Sequence, residues 1–419
     1  MFQIVLPLLC SGSFFLSGQT NYDWTFYDAS NSPLPENTVR CITIDSNGDY
    51  WFGTDLGLAF FDGLNWIVYN DQNSPLTDNY IRALEFDANG DLWIGTTQSG
   101  IFTFDMTNWT VIDPGNSDLP SYFIRSIKKD QDGAMWVGTV EGLARYASGT
   151  WTVWTVAGNG LNSNNISCFG VDENNRKYIG TINGGLMVFE NETITEYTIL
   201  EGGIPDNSSI GMVFDSNNNP WIASPSGGLF TTDASQLIVE PIPNWTSYNM
   251  LNSPIPTNSL TSILIDQQSN FFMGSTEHGL ITFSPPSGWE VIDTSNSALP
   301  DNHILCLLQD PEGYIWMGTS TAGIVRIKKN VQSIEETTKK PLLLYPNPVK
   351  GNLYIEGFDP YTPVTISLET LDGRLIQEFD QINNTVPFLE IDMSAFAPGP
   401  YLLRLNSGHD QFIKQIVKL

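Results

Sequence analysis

A short motif, an aromatic residue, one apolar residue and then Gly-Thr or a close variant, recurs seven times along the 419 residues. The copies are Trp51-Phe52-Gly53-Thr54, Trp93-Ile94-Gly95-Thr96, Trp136-Val137-Gly138-Thr139, Tyr178-Ile179-Gly180-Thr181, Trp221-Ile222-Ala223-Ser224, Phe272-Met273-Gly274-Ser275 and Trp316-Met317-Gly318-Thr319. Counted from Gly53, the steps are 42, 43, 42, 43, 51 and 44 residues. A period in the low forties is what a four-stranded propeller blade requires, because one such unit buries its apolar faces only against its neighbours.

Each copy has the same internal grammar. An alternating strand ends in Asp, as in Val39 to Asp45, and a turn such as Ser46-Asn47-Gly48 leads into the aromatic-Gly-Thr strand. A second Gly follows at 57, 100, 142, 185, 228, 279 and 323 and opens a third strand. Fourth strands lie at Trp24, Trp66, Trp109, Trp151, Ile194, Trp245 and Trp289. The first of these precedes any complete unit, and the last unit, ending near Lys328, has none after it. The N-terminal strand is therefore expected to complete the final blade, and closure of the ring removes free sheet edges. The expected fold is all-β: a seven-bladed β-propeller closed by the N-terminal strand, followed by a small C-terminal β-sandwich. The step of 51 places a surface insertion between Thr231 and Asn258.

Charge narrows the partners. The net charge is −28, of which residues 19–330 supply −24, with 11 Lys and Arg against 35 Asp and Glu. So acidic a chain argues against nucleic acid and against anionic membrane surfaces. Met1 to Leu16 is almost wholly apolar, too short to span a bilayer, and followed by Ser17-Gly18, which reads as an export signal although no Lys or Arg precedes Arg40. The domain reading is a signal peptide at 1–18, the propeller at 19–329, a polar linker at 330–341 and a C-terminal domain at 342–419. No later segment is apolar enough over sufficient length to form a transmembrane span. Cys41, Cys168 and Cys306 share one repeat position with Ala83, Ser126, Gly211 and Ser262. Every member is small, which suits crowded inner strands. Blades one, four and seven are not mutually adjacent, so free thiols are expected rather than a disulfide or a metal site.

The unit Leu-Pro-x-Asn … Asp-x-x-Gly-x-x-Trp-Ile-Gly-Thr-x-x-Gly-Leu-x-x-Phe, best seen in Leu34 to Phe61 and Leu76 to Phe104, resembles the two-component regulator propeller repeat over roughly residues 22 to 328. In that family the repeats often form periplasmic sensors of hybrid histidine kinases that detect glycan fragments. This sequence shows no kinase, receiver domain or transmembrane helix, so the resemblance implies the fold and ligand binding, not a signalling role. Tyr345-Pro346-Asn347-Pro348-Val349, the turn Leu371-Asp372-Gly373-Arg374, Pro398-Gly399-Pro400-Tyr401 and the ending Lys414 to Leu419 resemble the type A C-terminal sorting domain of the type IX secretion system of Bacteroidetes. That resemblance implies engagement of the secretion machinery through residues 342–419, a secreted or outer-cell-surface location, and removal of the domain after export.

All 12 Trp residues fall at repeat positions, which favours packing between blades over a sugar-stacking platform. Asp45-Ser46-Asn47-Gly48-Asp49 resembles a calcium loop only superficially, since Gly stands fourth rather than sixth. A capped hairpin turn explains it. The sharpest site candidates lie five residues before the strand-ending Asp, where the first three blades carry Arg40, Arg82 and Arg125 and the others Ser167, Ile210, Thr261 and Leu305. Just before them stand Thr38, Tyr80, Phe123, Asn165, Ser208, Ser259 and His303. These positions ring one mouth of the central channel. Arginines there suit carboxylates or sulfates, and Tyr80 and Phe123 suit a sugar ring. The internal alternative pairs each Arg with a loop carboxylate such as Glu36, Asp78 or Glu141. No catalytic motif is found, and no cofactor is implied. The expected role is a ligand-binding or display module for an extracellular glycan or protein. The alternative is a carbohydrate-active hydrolase or lyase at the channel mouth, where His278 and His303, from consecutive blades, are placed to meet.

Overall fold

The computed structural model of the chain describes residues 22–158, 160–190, 193–237, 239, 242–284, 288–329, 343–356, 364–370, 374–382, 388–407 and 410–419. The export signal at 1–18, the linker at 330–341 and the turn residues 371–373 lie outside them. The chain divides into two compact units, Met1–Asn330 and Val331–Leu419. Among the described residues every regular element is a strand.

The first unit is a seven-bladed propeller of four-stranded antiparallel sheets. Blade 1 runs Val39–Ile44, Tyr50–Thr54, Gly57–Phe61 and Trp66–Tyr69, and the next five blades repeat that order. Blade 7 takes Ile304–Gln309, Ile315–Thr319 and Ile324–Lys329 from the end of the unit and Tyr22–Tyr27 from its start. Trp24 pairs with Ile327 and Tyr27 with Ile324. The ring is thus closed by hydrogen bonds between the two ends of the propeller, as the two strand tallies require.

Three repeat positions explain why this sequence builds blades. The aromatic of the motif is buried between neighbouring sheets: Trp136 stacks 5.1 Å from Phe169 of the next blade, and Trp316 lies 4.2 Å from Tyr50 across the closure. In four of the five copies with Trp the indole nitrogen donates to the strand-ending Asp, as Trp136 to Asp130 at 2.8 Å and Trp316 to Asp310 at 2.8 Å. The other oxygen of that Asp accepts backbone N–H groups of the turn, as Asp130 does from Asp132 and Ala134. In blade 1, Asp45 caps Asn47 and Asp49 in the same way and Gly48 takes φ +90°, which is the hairpin geometry of its loop.

The motif Gly faces the small-residue position across the sheet. Cys41 pairs with Gly53, Cys168 with Gly180 and Cys306 with Gly318. In blade 5 the motif carries Ala223 and its partner is Gly211, so one member of the pair remains glycine. The space is closed from two sides, by the cross-strand partner and by the inner strand of the next blade: a Cβ at Gly53 would meet both Cys41 Sγ and Ile81. The three cysteines are free. Ring closure places blade 7 beside blade 1, and there the Cys306 thiol donates to the Val39 carbonyl at 3.6 Å. Burial pushes the Cys41 and Cys168 thiols up to about 12 and Cys306 well above its ordinary value. At pH 8 a thiol titrating near 12 is thiolate only about once in 10⁴. Iodoacetamide at pH 8 is therefore expected to alkylate the native propeller on the order of 10³ times more slowly than the urea-unfolded chain. Intact mass over time reads this, and equal rates would refute it.

The second unit is a small sandwich. One sheet holds Leu343–Tyr345, Asn352–Glu356 and Phe388–Asp392, and the other holds Leu375–Ile382, Val364–Glu369, Gly399–Ser407 and Asp410–Lys418. Val349, Leu353, Ile366, Leu368, Leu403, Leu405 and Ile416 form its core.

Candidate functional site

The arginine position is a β-bulge. In six blades the register of the inner strand slips by one residue, between Val39 and Cys41, Ile81 and Ala83, Ile124 and Ser126, Ile166 and Cys168, Leu260 and Ser262, and Ile304 and Cys306. The skipped residues are Arg40, Arg82, Arg125, Ser167, Thr261 and Leu305. A bulge leaves its extra residue out of the ladder and re-aims the side chain. The two hydroxyl members show where it is aimed: Ser167 donates to the Ser209 carbonyl and Thr261 to the Ile304 carbonyl, each at the inner strand of the following blade.

The three arginines differ in what they meet there. Arg40 makes a two-pronged contact with Asp55, through Nε to Oδ1 and Nη2 to Oδ2, the second at 2.8 Å. Its guanidinium lies 4.4 Å above the Tyr80 ring, which occupies one face of Tyr80. Arg40 is thus neutralised by a carboxylate of its own blade, Asp55, and not by Glu36. Asp78 is committed elsewhere: it accepts from the backbone N–H groups of Thr97, Gln98 and Tyr80 and from the Thr97 hydroxyl. Arg82 and Arg125 have no ion pair among the described residues. Arg125 stands 5.3 Å over the Phe123 ring, and its Nε is buried without a hydrogen-bond partner there. Burial, and then the Arg82 charge beside it, hold the Arg125 guanidinium below its ordinary value. A partly buried cation beside a like charge and without an anion is costly. Arg176 meets Glu190. Arg145 and Arg326 also have no ion pair among the described residues, but Arg145 stands over the Trp136 ring and Arg326 over the Tyr314 ring.

His303 belongs to blade 7, on the far side of blade 1 from Arg82. Its backbone N–H is capped by Asp301 and its carbonyl accepts from Ser320. The Nδ1 of His278 is buried without a hydrogen-bond partner among the described residues. Among the described residues no hydrogen bond joins His278 to His303. The bulge positions thus set Arg40 over Tyr80 and Arg125 over Phe123, with the Arg82 charge beside Arg125, and no hydrogen bond or ion pair among the described residues joins His303 to them.

One element of the site lies outside the arginine position. In six of the seven linkers into inner strands an Asn side chain caps the backbone N–H eight residues earlier: Asn37 to Ala29, Asn79 to Asp71, Asn164 to Val156, Asn207 to Ile199, Asn258 to Met250 and Asn302 to Thr294. The linker into blade 3 has Tyr122 in place of the Asn and Pro114, which has no N–H, in place of the donor. Both line an open groove of about 440 Å³ with Pro120, Phe123, Gln98 and Glu141. Tyr122 is 46% exposed. The paired substitution is visible in the sequence once the Asn position is aligned across all seven linkers.

Fold and site define a secreted propeller module. The two-component regulator propeller repeat matches residues 33–55, 75–98, 118–141 and 298–321, which are the entries to blades 1, 2, 3 and 7. The secretion system C-terminal sorting domain matches residues 343–419. The chain carries both, and the sorting domain marks it for the type IX secretion machinery and for a secreted or outer-surface location. Among solved structures it is similar to the extracellular domain assigned to the hybrid two-component system BT3049 of B. thetaiotaomicron, with 18% identity and a TM-score of 0.64 over 94% of this chain and 57% of that one. It is also similar to PorZ, a surface component of the type-IX secretion system of Porphyromonas gingivalis, with 16% identity and a TM-score of 0.60 over 91% of this chain and 59% of that one. This chain thus spans a little over half the length of either. Virginiamycin B lyase from Staphylococcus aureus shares 12% identity and a TM-score of 0.59 over 73% of this chain and 99% of its own. At these identities the likeness is one of fold. No curated protein matches the chain in sequence. No helix among the described residues is long and apolar enough to cross a membrane.

Proposed function

We propose that the propeller is an extracellular binding module whose channel mouth takes an anionic ligand, bearing a carboxylate or a sulfate, between blades 2 and 3. The observation that carries this reading is the pair Arg82 and Arg125: two neighbouring guanidiniums with no carboxylate of their own, in a domain of net charge −24. A chain so rich in Asp and Glu has carboxylates to spare, and Arg40 one blade away has taken one. The planar fork of Arg matches a carboxylate or sulfate bidentately, and its low hydration suits a half-buried site. Phe123 lies against Arg125 and offers its other ring face to the body of the ligand. Arg40 and Tyr80 serve as the wall toward blade 1, with Asp55 holding the guanidinium in place.

The test is binding of acidic oligosaccharides to the wild type and to Arg82→Ala. A charge-assisted hydrogen bond is worth about 1.5–3 kcal/mol, so the variant is expected to bind about 10- to 100-fold more weakly. Binding to the wild type is also expected to weaken as salt is raised. Equal binding by both proteins, or none by either, overturns the reading.

A further inference from the structure

The linker into blade 3 has given up a stabilising contact that six other linkers keep. Its Asn is Tyr122 and its capped N–H is Pro114, so the two substitutions remove acceptor and donor together. What replaces the hydrogen bond is a half-exposed phenol ring that lines a groove with Pro114, Pro120 and Phe123, and Arg125 stands over the Phe123 ring. Flat apolar faces flanked by polar groups fit a ring that is apolar on its faces and hydroxylated at its edge. Glu141 and Gln98 line the groove to take such an edge, and the Glu141 carboxylate disfavours a second anion there.

We infer that the groove of Tyr122, Pro114 and Pro120 is a subsite for a neutral pyranose ring, adjoining the arginine pair, so that the ligand is an acidic oligosaccharide with a charged sugar linked to an uncharged one. The inference rests on the reading of Arg82 and Arg125 as the anion site. It adds the composition and minimum length of the ligand: one charged unit at the mouth, one neutral unit outward along the linker into blade 3.

Three probes separate the two claims: glucuronate, a glucuronate–N-acetylglucosamine disaccharide and a galacturonate disaccharide. Each is titrated against the wild type, Arg82→Ala and Tyr122→Asn by ligand-observed NMR. Tyr122→Asn restores the residue that six linkers carry, and its urea midpoint checks that it folds. On the wild type the mixed disaccharide is expected to bind about 5-fold more tightly than glucuronate, the scale of one ring packed on an aromatic face. Tyr122→Asn is expected to lose that gain and to bind glucuronate as the wild type does. The galacturonate disaccharide is expected to gain less than about 2-fold, because Glu141 opposes its second carboxylate.

A gain that survives Tyr122→Asn, or an equal gain for the galacturonate disaccharide, overturns the subsite. So does the same Tyr122-dependent gain for a glutamyl-phenylalanine dipeptide over glutamate, which would make the groove a peptide site. Glucuronate binding that is absent, or indifferent to Arg82→Ala, overturns the anion site and the subsite with it. Arginine-dependent glucuronate binding without a Tyr122-dependent gain overturns the subsite alone.

Discussion

Gly323→Ala is expected to destabilise the propeller by about 3 kcal/mol or more, the sum of a backbone term and a collision. Gly323 opens the third strand of blade 7 at φ +80°, a conformation that costs an alanine about 1–2 kcal/mol. A Cβ at this position would also run into the Tyr27 carbonyl oxygen, with the Asp28 Cα 3.0 Å away. Tyr27 belongs to the N-terminal strand that closes the ring, so relief of the collision has to come from the closure itself. Gly48→Ala is the control. Its φ is +90°, but no atom lies within 4 Å of the added carbon, so only the backbone term of about 1 kcal/mol remains. Urea unfolding of the two variants reads the difference. Equal midpoints would mean that the closing strand yields freely and does not lock the ring.

The same glycine shows why the fold was so legible. Its equivalents at 57, 100, 142, 185, 228 and 279 all take positive φ, and in each an added Cβ meets a carbonyl oxygen of the blade's outer strand. A constraint set by backbone geometry cannot drift, so the repeat keeps it in every copy and the blades can be counted. The exchange of Gly211 and Ala223 has the same origin, since the pair needs one glycine and not a particular one. The arginine position was less legible. Arg40, Arg82 and Arg125 stand out as a repeat position, but a bulge is a property of two strands in register and no single strand spells it. Sequence proximity therefore points Arg40 to Glu36, while the bulge turns the guanidinium to Asp55. The groove had a signal, the paired loss of Asn at 122 and of an N–H at 114, but it is an exception within a position rather than a pattern. His303 shares the arginine neighbourhood in sequence register and still sits across blade 1, because register fixes height along the axis and not position around it.

Asp310→Ala is expected to cost about 3–5 kcal/mol, because it strands several buried donors at the ring closure at about 1–3 kcal/mol each. Asp310 is 1% exposed. Its Oδ2 accepts from the Trp316 indole at 2.8 Å and from the Tyr50 hydroxyl of blade 1 at 2.9 Å, and its Oδ1 accepts from the Tyr314 N–H at 2.8 Å. One carboxylate thus caps the hairpin of blade 7, fixes its buried Trp and bonds to the blade that follows. Asp45 occupies the same repeat position in blade 1 but is half-buried, and the Trp51 indole has no hydrogen-bond partner there. Asp45→Ala therefore removes only the turn cap and is expected to cost about 1 kcal/mol. Tyr50→Phe removes only the bond between blades, worth about 1 kcal/mol, and in the Asp310→Ala background it should cost almost nothing, since its partner is gone. Urea denaturation of the three single variants and the double variant measures the cycle. An additive double variant, or an Asp310→Ala no worse than Asp45→Ala, would show that blade 7 is held to blade 1 by its aromatic packing, Trp316 on Tyr50, and not by the shared carboxylate.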